Sequence, residues 1–166
     1  LYLLASSRSK GKFIKFKGED LVVEDLAEFD FSKVKISLFS PGSKISEEFV
    51  PKAAKEGCIV IDNTSYFRMK DNVPLIIPEV NTSVLDDFFD NPKRSNIIAN
   101  PNCSTIQMLV VLKPLHDVSI INRVIVSTYQ STSGAGKEAM DELFNQTKNI
   151  YANQNVEKNK FTKQIA

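Results

Sequence analysis

Val34-Lys35-Ile36-Ser37-Leu38-Phe39, followed by Ser40-Pro41-Gly42-Ser43, is the stretch on which the fold turns. An apolar, partly β-branched run meets a Pro-Gly turn, which reads as a buried strand with a hard stop. Ser43 is suited to cap a helix over roughly residues 44–56, where Ile45, Phe49, Val50, Ala53 and Ala54 recur at helical spacing. Gly57 ends that helix, and Cys58–Ile61 is the next apolar run. A strand, a helix and a second strand at this spacing form the repeating unit of a parallel sheet.

The same alternation extends outward in both directions. On the N-terminal side, Leu1–Ala5 reads as a strand, and Phe13–Leu26 reads as a strand pair about a Lys17-Gly18-Glu19-Asp20 turn. On the C-terminal side, Leu75–Ile77 is a short strand between Pro74 and Pro78, residues 83–89 are helical, and Ile97–Ala99 is extended. Asn100-Pro101-Asn102-Cys103 is a tight turn into a helix over about 104–113. Ile106, Met108, Leu109, Val110, Val111 and Leu112 make that helix apolar almost all round, so it should be buried, with Pro114 as its stop. Ile120–Tyr129 reads as a β-branched strand, broken by Gly134 and Gly136 before a helix over about 137–148. The pattern implies an α/β sheet with right-handed crossovers, in which ligands bind beyond the carboxyl ends of the strands. Ser6, Arg8, Ser40, Asn63, Cys103 and Gln130 all fall at such positions.

Charge excludes some functions. The 166 residues carry 21 Lys plus Arg against 20 Asp plus Glu, so bulk charge recruits neither nucleic acid nor a membrane surface. No apolar run approaches the roughly 20 residues of a membrane helix. Two cysteines, Cys58 and Cys103, form neither a disulfide framework nor a metal spacing, which suits a reducing, cytoplasmic setting. The absence of an initiator Met, the abrupt opening strand and the aperiodic polar stretch Tyr151–Ala166 read as a fragment of a longer chain.

Cys103 is the sharpest candidate for chemistry. At a helix N-terminus, the macrodipole and free backbone N–H groups favour a thiolate and can stabilise an oxyanion formed on the carbon it attacks. The competing reading is a structural thiol on an apolar surface; for Cys58, which opens a strand, core packing is the reading adopted. Arg8, flanked by Ser6 and Ser9 and with no acidic residue in Ala5-Ser6-Ser7-Arg8-Ser9, suits the 2′-phosphate of NADP rather than the 2′-hydroxyl of NAD; a solvated loop arginine is the alternative. The glycine-rich fingerprint that should precede such a strand is absent. Arg68 offers a bidentate fork to carboxylate or phosphate, or a plain surface charge. Gln130 either hydrogen-bonds a substrate or is an ordinary loop residue, and His116, the only histidine, follows the buried helix with no catalytic context.

Asn100-Pro101-Asn102-Cys103-Ser104-Thr105-Ile106-Gln107 closely resembles the active-site motif of the aspartate-semialdehyde dehydrogenase family. The likeness extends over roughly residues 1–148. Asp62–Met69 with Val73-Pro74-Leu75 and Pro78-Glu79-Val80-Asn81 is similar to the family's phosphate-site segment, and Ile125–Gln130 with Ser133-Gly134-Ala135-Gly136 to its substrate-glutamine and cofactor loop. The related N-acetyl-glutamyl-phosphate reductases share the architecture but carry their cysteine in an Asn-Pro-Gly-Cys-type context.

The resemblance implies a partial Rossmann-like, parallel-sheet NADP-binding domain over 1–99 and the first part of an α+β catalytic and dimerisation domain over 100–166. It implies NADPH-dependent reductive dephosphorylation of L-aspartyl-4-phosphate to L-aspartate-4-semialdehyde through a Cys103 thioester, on the way to lysine, diaminopimelate, threonine and methionine. Gln130, Arg68 and Asn102 would bind substrate or its phosphate. Ser6, Arg8, Ser9, Ser40, Gly42, Ser133 and Gly134 would line the cofactor, no metal would be needed, and the whole enzyme would be a homodimer. Pro41 stands where the family commonly has Ala. The family's acid/base His and carboxylate-binding Arg have no match here, and His116 is not that His. The expectation is therefore a fragment that is inactive alone; the alternatives are a dead remnant of such an enzyme or a relative of the N-acetyl-glutamyl-phosphate reductases.

Overall fold

In a computed structural model of the chain, the structure describes residues 1–91 and 95–166. The chain divides into two compact units, Leu1–Ile76 with Ser83–Asn100, and Ile77–Thr82 with Pro101–Ala166.

The first unit is α/β and holds two three-stranded sheets, where one sheet was expected. In the first, β1 (Leu3–Ala5) runs parallel to β3 (Glu19–Asp25), and β2 (Phe13–Phe16) pairs antiparallel with β3 in the register Phe13↔Val22 to Phe16↔Glu19. Lys17 and Gly18 connect the hairpin with φ of 50° and 89°, the positive values that let a two-residue turn match the strand twist. In the second sheet, β4 (Ile36–Phe39), β5 (Ile59–Asp62) and β6 (Ile97–Ala99) are all parallel, in that order. α1 (Ser43–Lys55) joins β4 to β5 and buries Val50, Ala53 and Ala54, while Gly57 at φ 89° turns the chain out of it. Ser43 is the first residue of α1, and its cap position is Gly42. The core collects Phe29, Phe31, Phe39, Val50, Val60, Phe67 and Ile97, with Cys58 fully buried among them as the strand reading required. Leu75 forms a single parallel bridge to Ala99 rather than a strand. A one-turn helix, α2 (Pro78–Asn81), which belongs to the second unit and is too short to leave a periodic signal in sequence, precedes α3 (Ser83–Asp90) of the first.

In the second unit, α4 runs from Cys103 to Val118 and α5 from Lys137 to Tyr151. Three expectations fail here. Pro114 does not stop α4. A proline removes one hydrogen bond, but the carbonyl it orphans belongs to Val110, which is exposed to water, and the Lys113–Asp117 ion pair spans the site. Nor is α4 buried: it has no fully buried residue, and Val111, Leu115 and Val118 are 61, 56 and 90% exposed. An all-round apolar helix reports what it could bury, and the described residues supply too little surface to cover it. Finally, Ile120–Tyr129 joins no sheet; its β-branched residues have no strand beside them among the described residues. The polar tail that follows α5 is organised by two buried side chains. Glu142 accepts from the backbone N–H groups of Asn159, Lys160 and Phe161, and Gln146 donates to the Glu157 carbonyl and accepts from Ile165 N–H. Among the described residues, no helix is long and apolar enough to cross a membrane.

Candidate functional site

At the carboxyl end of β4, β5 and β6 the first unit carries a linked polar row. Its foundation is Asp62, a fully buried carboxylate that ends β5. It accepts from Ser46 Oγ of α1 at 2.8 Å, from Thr64 N at 3.2 Å and from Thr64 Oγ1 at 2.7 Å. A buried charge must be compensated in this way, and the compensation locks the turn after β5 against α1. Above it, Asn63 Nδ2 donates to Ser40 Oγ at 3.4 Å, and Asn100 Nδ2 donates to Asn63 Oδ1 at 2.6 Å. Arg68 closes the row: its Nε donates to the Asn100 carbonyl at 2.9 Å and its Nη2 to the Asn63 carbonyl at 3.1 Å. Arg68 is thus half-buried and held by two backbone oxygens, and among the described residues its Nη1 edge is left for an acceptor. Ser40, Asn63 and Arg68, separate in sequence, meet in one network. Asn100, which sequence reasoning treated only as part of a turn, is its fourth member.

Ser6, Arg8 and Ser9 lie elsewhere in this unit, beyond the carboxyl end of β1. Ser7–Ser9 form a 3-10 turn closed by Ser9 N–H to the Ser6 carbonyl at 2.8 Å. Arg8 is exposed and enters no ion pair among the described residues. Its neighbour Lys10 is committed to Glu28, whose hydrogen bond and charge raise the Lys10 ammonium above its ordinary value. Gly42 sits at φ 100°, at the head of α1, with open space where a Cβ would stand.

In the second unit the chemistry gathers at the first turn of α4. Cys103 is the first residue of the helix and its side chain is exposed. Asn102 is the cap: its Oδ1 accepts from Ser104 N–H at 3.0 Å, the geometry that satisfies one of the donors a helix start leaves free. The same carboxamide donates through Nδ2 to Gln130 Oε1 at 3.3 Å, and Gln130 Nε2 donates to Thr128 Oγ1 at 3.0 Å. The structure therefore joins Gln130 to the cap that carries Cys103 across 28 positions of sequence. Thr128 was not singled out from sequence; a hydroxyl inside an extended run gives no signal of its own. Ser133 and Gly134 belong to a 3-10 turn, Thr132–Ala135, whose cap residue Ser131 has its Oγ 2.8 Å from Ser133 Oγ. His116 is engaged structurally, its Nδ1 accepting from Ile121 N–H at 3.2 Å.

Comparison with known proteins adds to this geometry. Residues 1–88 match the model for the semialdehyde dehydrogenase NAD binding domain, and residues 112–166 match that for the semialdehyde dehydrogenase dimerisation domain. The chain is 51% identical over 166 residues to aspartate-semialdehyde dehydrogenase 2 of Vibrio cholerae, covering all of this chain and 48% of that protein. Among solved structures, aspartate semialdehyde dehydrogenase II from Vibrio cholerae complexed with ASA superposes with a TM-score of 0.80 at 50% identity, over 99% of this chain and 48% of that one. Aspartate semialdehyde dehydrogenase with NADP from Candida albicans superposes with a TM-score of 0.59 at 25% identity, over 72% of this chain and 40% of that one. The chain spans about half the length of the curated relatives it matches.

Proposed function

Because the chain belongs to the semialdehyde dehydrogenase family, we propose that it is part of an aspartate-semialdehyde dehydrogenase. The whole enzyme would reduce L-aspartyl-4-phosphate to L-aspartate-4-semialdehyde with release of phosphate, as a homodimer serving lysine, diaminopimelate, threonine and methionine synthesis. The observation that carries this reading is the exposed thiol of Cys103 at the capped start of α4, tied through Asn102 to Gln130. A thiol there can attack a carbonyl carbon, and the N–H groups of the first helical turn can receive the negative charge that develops on its oxygen.

The reading assigns steps to the chain's own atoms. Cys103 Sγ bonds to the acyl carbon, and the C–O bond to phosphate breaks, so the phosphate leaves with the electron pair and a thioester remains. Arg68, whose Nη1 edge is free among the described residues, would hold the phosphate; Asn102 would bind the substrate and Gln130 would orient it. After reduction, the C–S bond of the hemithioacetal breaks, returning the thiolate and releasing the aldehyde. NADPH, when bound, supplies the hydride for that reduction.

The residues present fit NADP. An exposed Arg8, in no ion pair among the described residues and beside Ser6 and Ser9, suits a 2′-phosphate, and Ser40 and Gly42 leave an open turn at the head of α1. Ser133 and Gly134 would face the nicotinamide end. In residues 1–166 alone the single histidine is already held by a backbone N–H, so this stretch is proposed to carry the nucleophile without a partner to move protons, and to be inactive by itself.

The test is phosphate-dependent reduction of NADP+ by aspartate semialdehyde, assayed in the protein at its natural length and in the Cys103→Ala variant. Turnover is expected in the first and none in the second. Turnover that survives Cys103→Ala would remove the covalent reading. Preference for N-acetylglutamate semialdehyde would move the protein to the reductase relatives.

A further inference from the structure

Gln130 ends in a carboxamide, whose oxygen and nitrogen differ chemically but hardly differ in shape. Which of them faces a ligand decides whether the site donates or accepts a hydrogen bond. In this protein the choice is made at a distance, by a chain that starts from a group with no ambiguity. Ser104 N–H is a backbone donor and can only donate. It lies 3.0 Å from the Asn102 carboxamide, so the atom it meets must be Oδ1. Asn102 Nδ2 is then the end directed at Gln130, and the Gln130 atom 3.3 Å from it must be Oε1. Gln130 Nε2 is left at the other end, 3.0 Å from Thr128 Oγ1, a hydroxyl that can accept. Thr128 can serve either end of an amide, so it latches whichever orientation the cap of α4 dictates.

The geometry points to Thr128 as a positioning residue: with Asn102 it holds the Gln130 carboxamide in one orientation, so that Gln130 offers an N–H to an oxygen of the substrate. Of the two hydrogens on Nε2, one goes to Thr128 and the second remains. Among the described residues, the free donors at this end of the second unit are then that hydrogen, the second hydrogen on Asn102 Nδ2 and those first-turn N–H groups of α4 that Asn102 does not cap. Such a set selects a ligand rich in oxygen acceptors, such as a carbonyl, carboxylate or phosphate, and discriminates against one that presents donors there. This inference rests on the reading of Gln130 as a substrate-orienting residue given above.

Thr128→Val keeps the shape of the side chain and removes the hydroxyl; Thr128→Ser keeps the hydroxyl. In the protein at its natural length, Thr128→Val is expected to lower kcat/KM for aspartate semialdehyde by about five- to tenfold, the worth of one hydrogen bond. The KM for that substrate should rise while the KM for NADP+ and the rate of Cys103 alkylation stay as in the parent, and Thr128→Ser should restore most of the loss. A Thr128→Val protein indistinguishable from the parent would overturn the proposal. So would a Thr128→Ser protein as impaired as Thr128→Val, or an equal loss in all three measurements, which would mean general damage to the fold. A second arm does not depend on activity. In the 15N-labelled protein at its natural length, the Gln130 side-chain NH2 signals should show one proton exchanging slowly with water, lost in Thr128→Val and regained in Thr128→Ser. Equal exchange in all three overturns the proposal even if the activity assay fails for want of the assigned function.

Discussion

Cys58 and Cys103 carry the same side chain in opposite settings. Cys58 is fully buried, with its Sγ donating to Ser37 Oγ at 3.3 Å, and reaches solvent only when the first unit opens. Cys103 stands exposed at the head of a helix. Iodoacetamide near neutral pH should therefore label Cys103 at least about a hundredfold faster than Cys58, because the buried thiol must wait for an opening that costs several kcal/mol. Peptide mapping after a timed pulse reads the ratio, and prior labelling of Cys58 in folded protein would undo the assignment. Cys103→Ser should keep very little activity, since a hydroxyl is hard to ionise at this pH. Arg8 supports a second expectation. Loss of a charge-assisted contact to a 2′-phosphate costs roughly 1.5–3 kcal/mol. Arg8→Ala should accordingly weaken NADPH about ten- to a hundredfold and leave NADH nearly unchanged, as measured by cofactor titration. Equal losses would make Arg8 structural. Both residues could be picked out by type and position alone. Asn100 and Thr128 could not, because their importance lies in which amide each one faces.

The β4-α1-β5 unit shows why some elements are legible in sequence. Its two strands are paired inside one sheet, its helix buries one face on them, and its stop signals are local. Gly57 is the sharpest of these: at φ 89° an L side chain is strained, although no atom lies within 4 Å of where its Cβ would be. Gly57→Ala should thus cost about 1–2 kcal/mol through the backbone alone, seen as a lower urea midpoint with an unchanged m-value. A neutral result would show that the turn relaxes without loss. α4 and Ile120–Tyr129 are the contrary case. Their apolar and β-branched composition was read correctly, yet the state it implies needs a partner surface. A strand is a strand only when another strand takes its backbone bonds, and Ile120–Tyr129 has none among the described residues.

At the scale of the molecule, the second unit leaves large apolar side chains in water. Val111, Leu115 and Val118 on α4, Ile120, Ile125 and Tyr129 in the extended run, and Phe144 on α5 are each more than half exposed. If on the order of 300 Å² of such surface could be covered, burial at ~25 cal/mol per Å² would be worth about 7 kcal/mol, comparable with the 5–15 kcal/mol net stability of a typical domain. Residues 1–166 expressed alone are expected to bind a hydrophobic dye, to self-associate with rising concentration in sedimentation, and to melt broadly. A monomer with a sharp, high-temperature transition and no dye binding would contradict this. The amino-acid sequence by itself determined the α/β class, the hairpin, the βαβ unit, the burial of Cys58 and the helix-terminal place of Cys103, because each depends on periodicity, a turn residue or a neighbour a few positions away. Only the tertiary structure decided that the parallel strands form two sheets, that α4 passes through Pro114 with its surface uncovered, that Asp62 anchors the row of Ser40, Asn63, Arg68 and Asn100, and that Asn102 reaches Gln130. Those outcomes depend on which hydrogen-bonding groups and apolar faces meet across long stretches of chain, and no local pattern encodes a meeting between residues 28 or 37 positions apart.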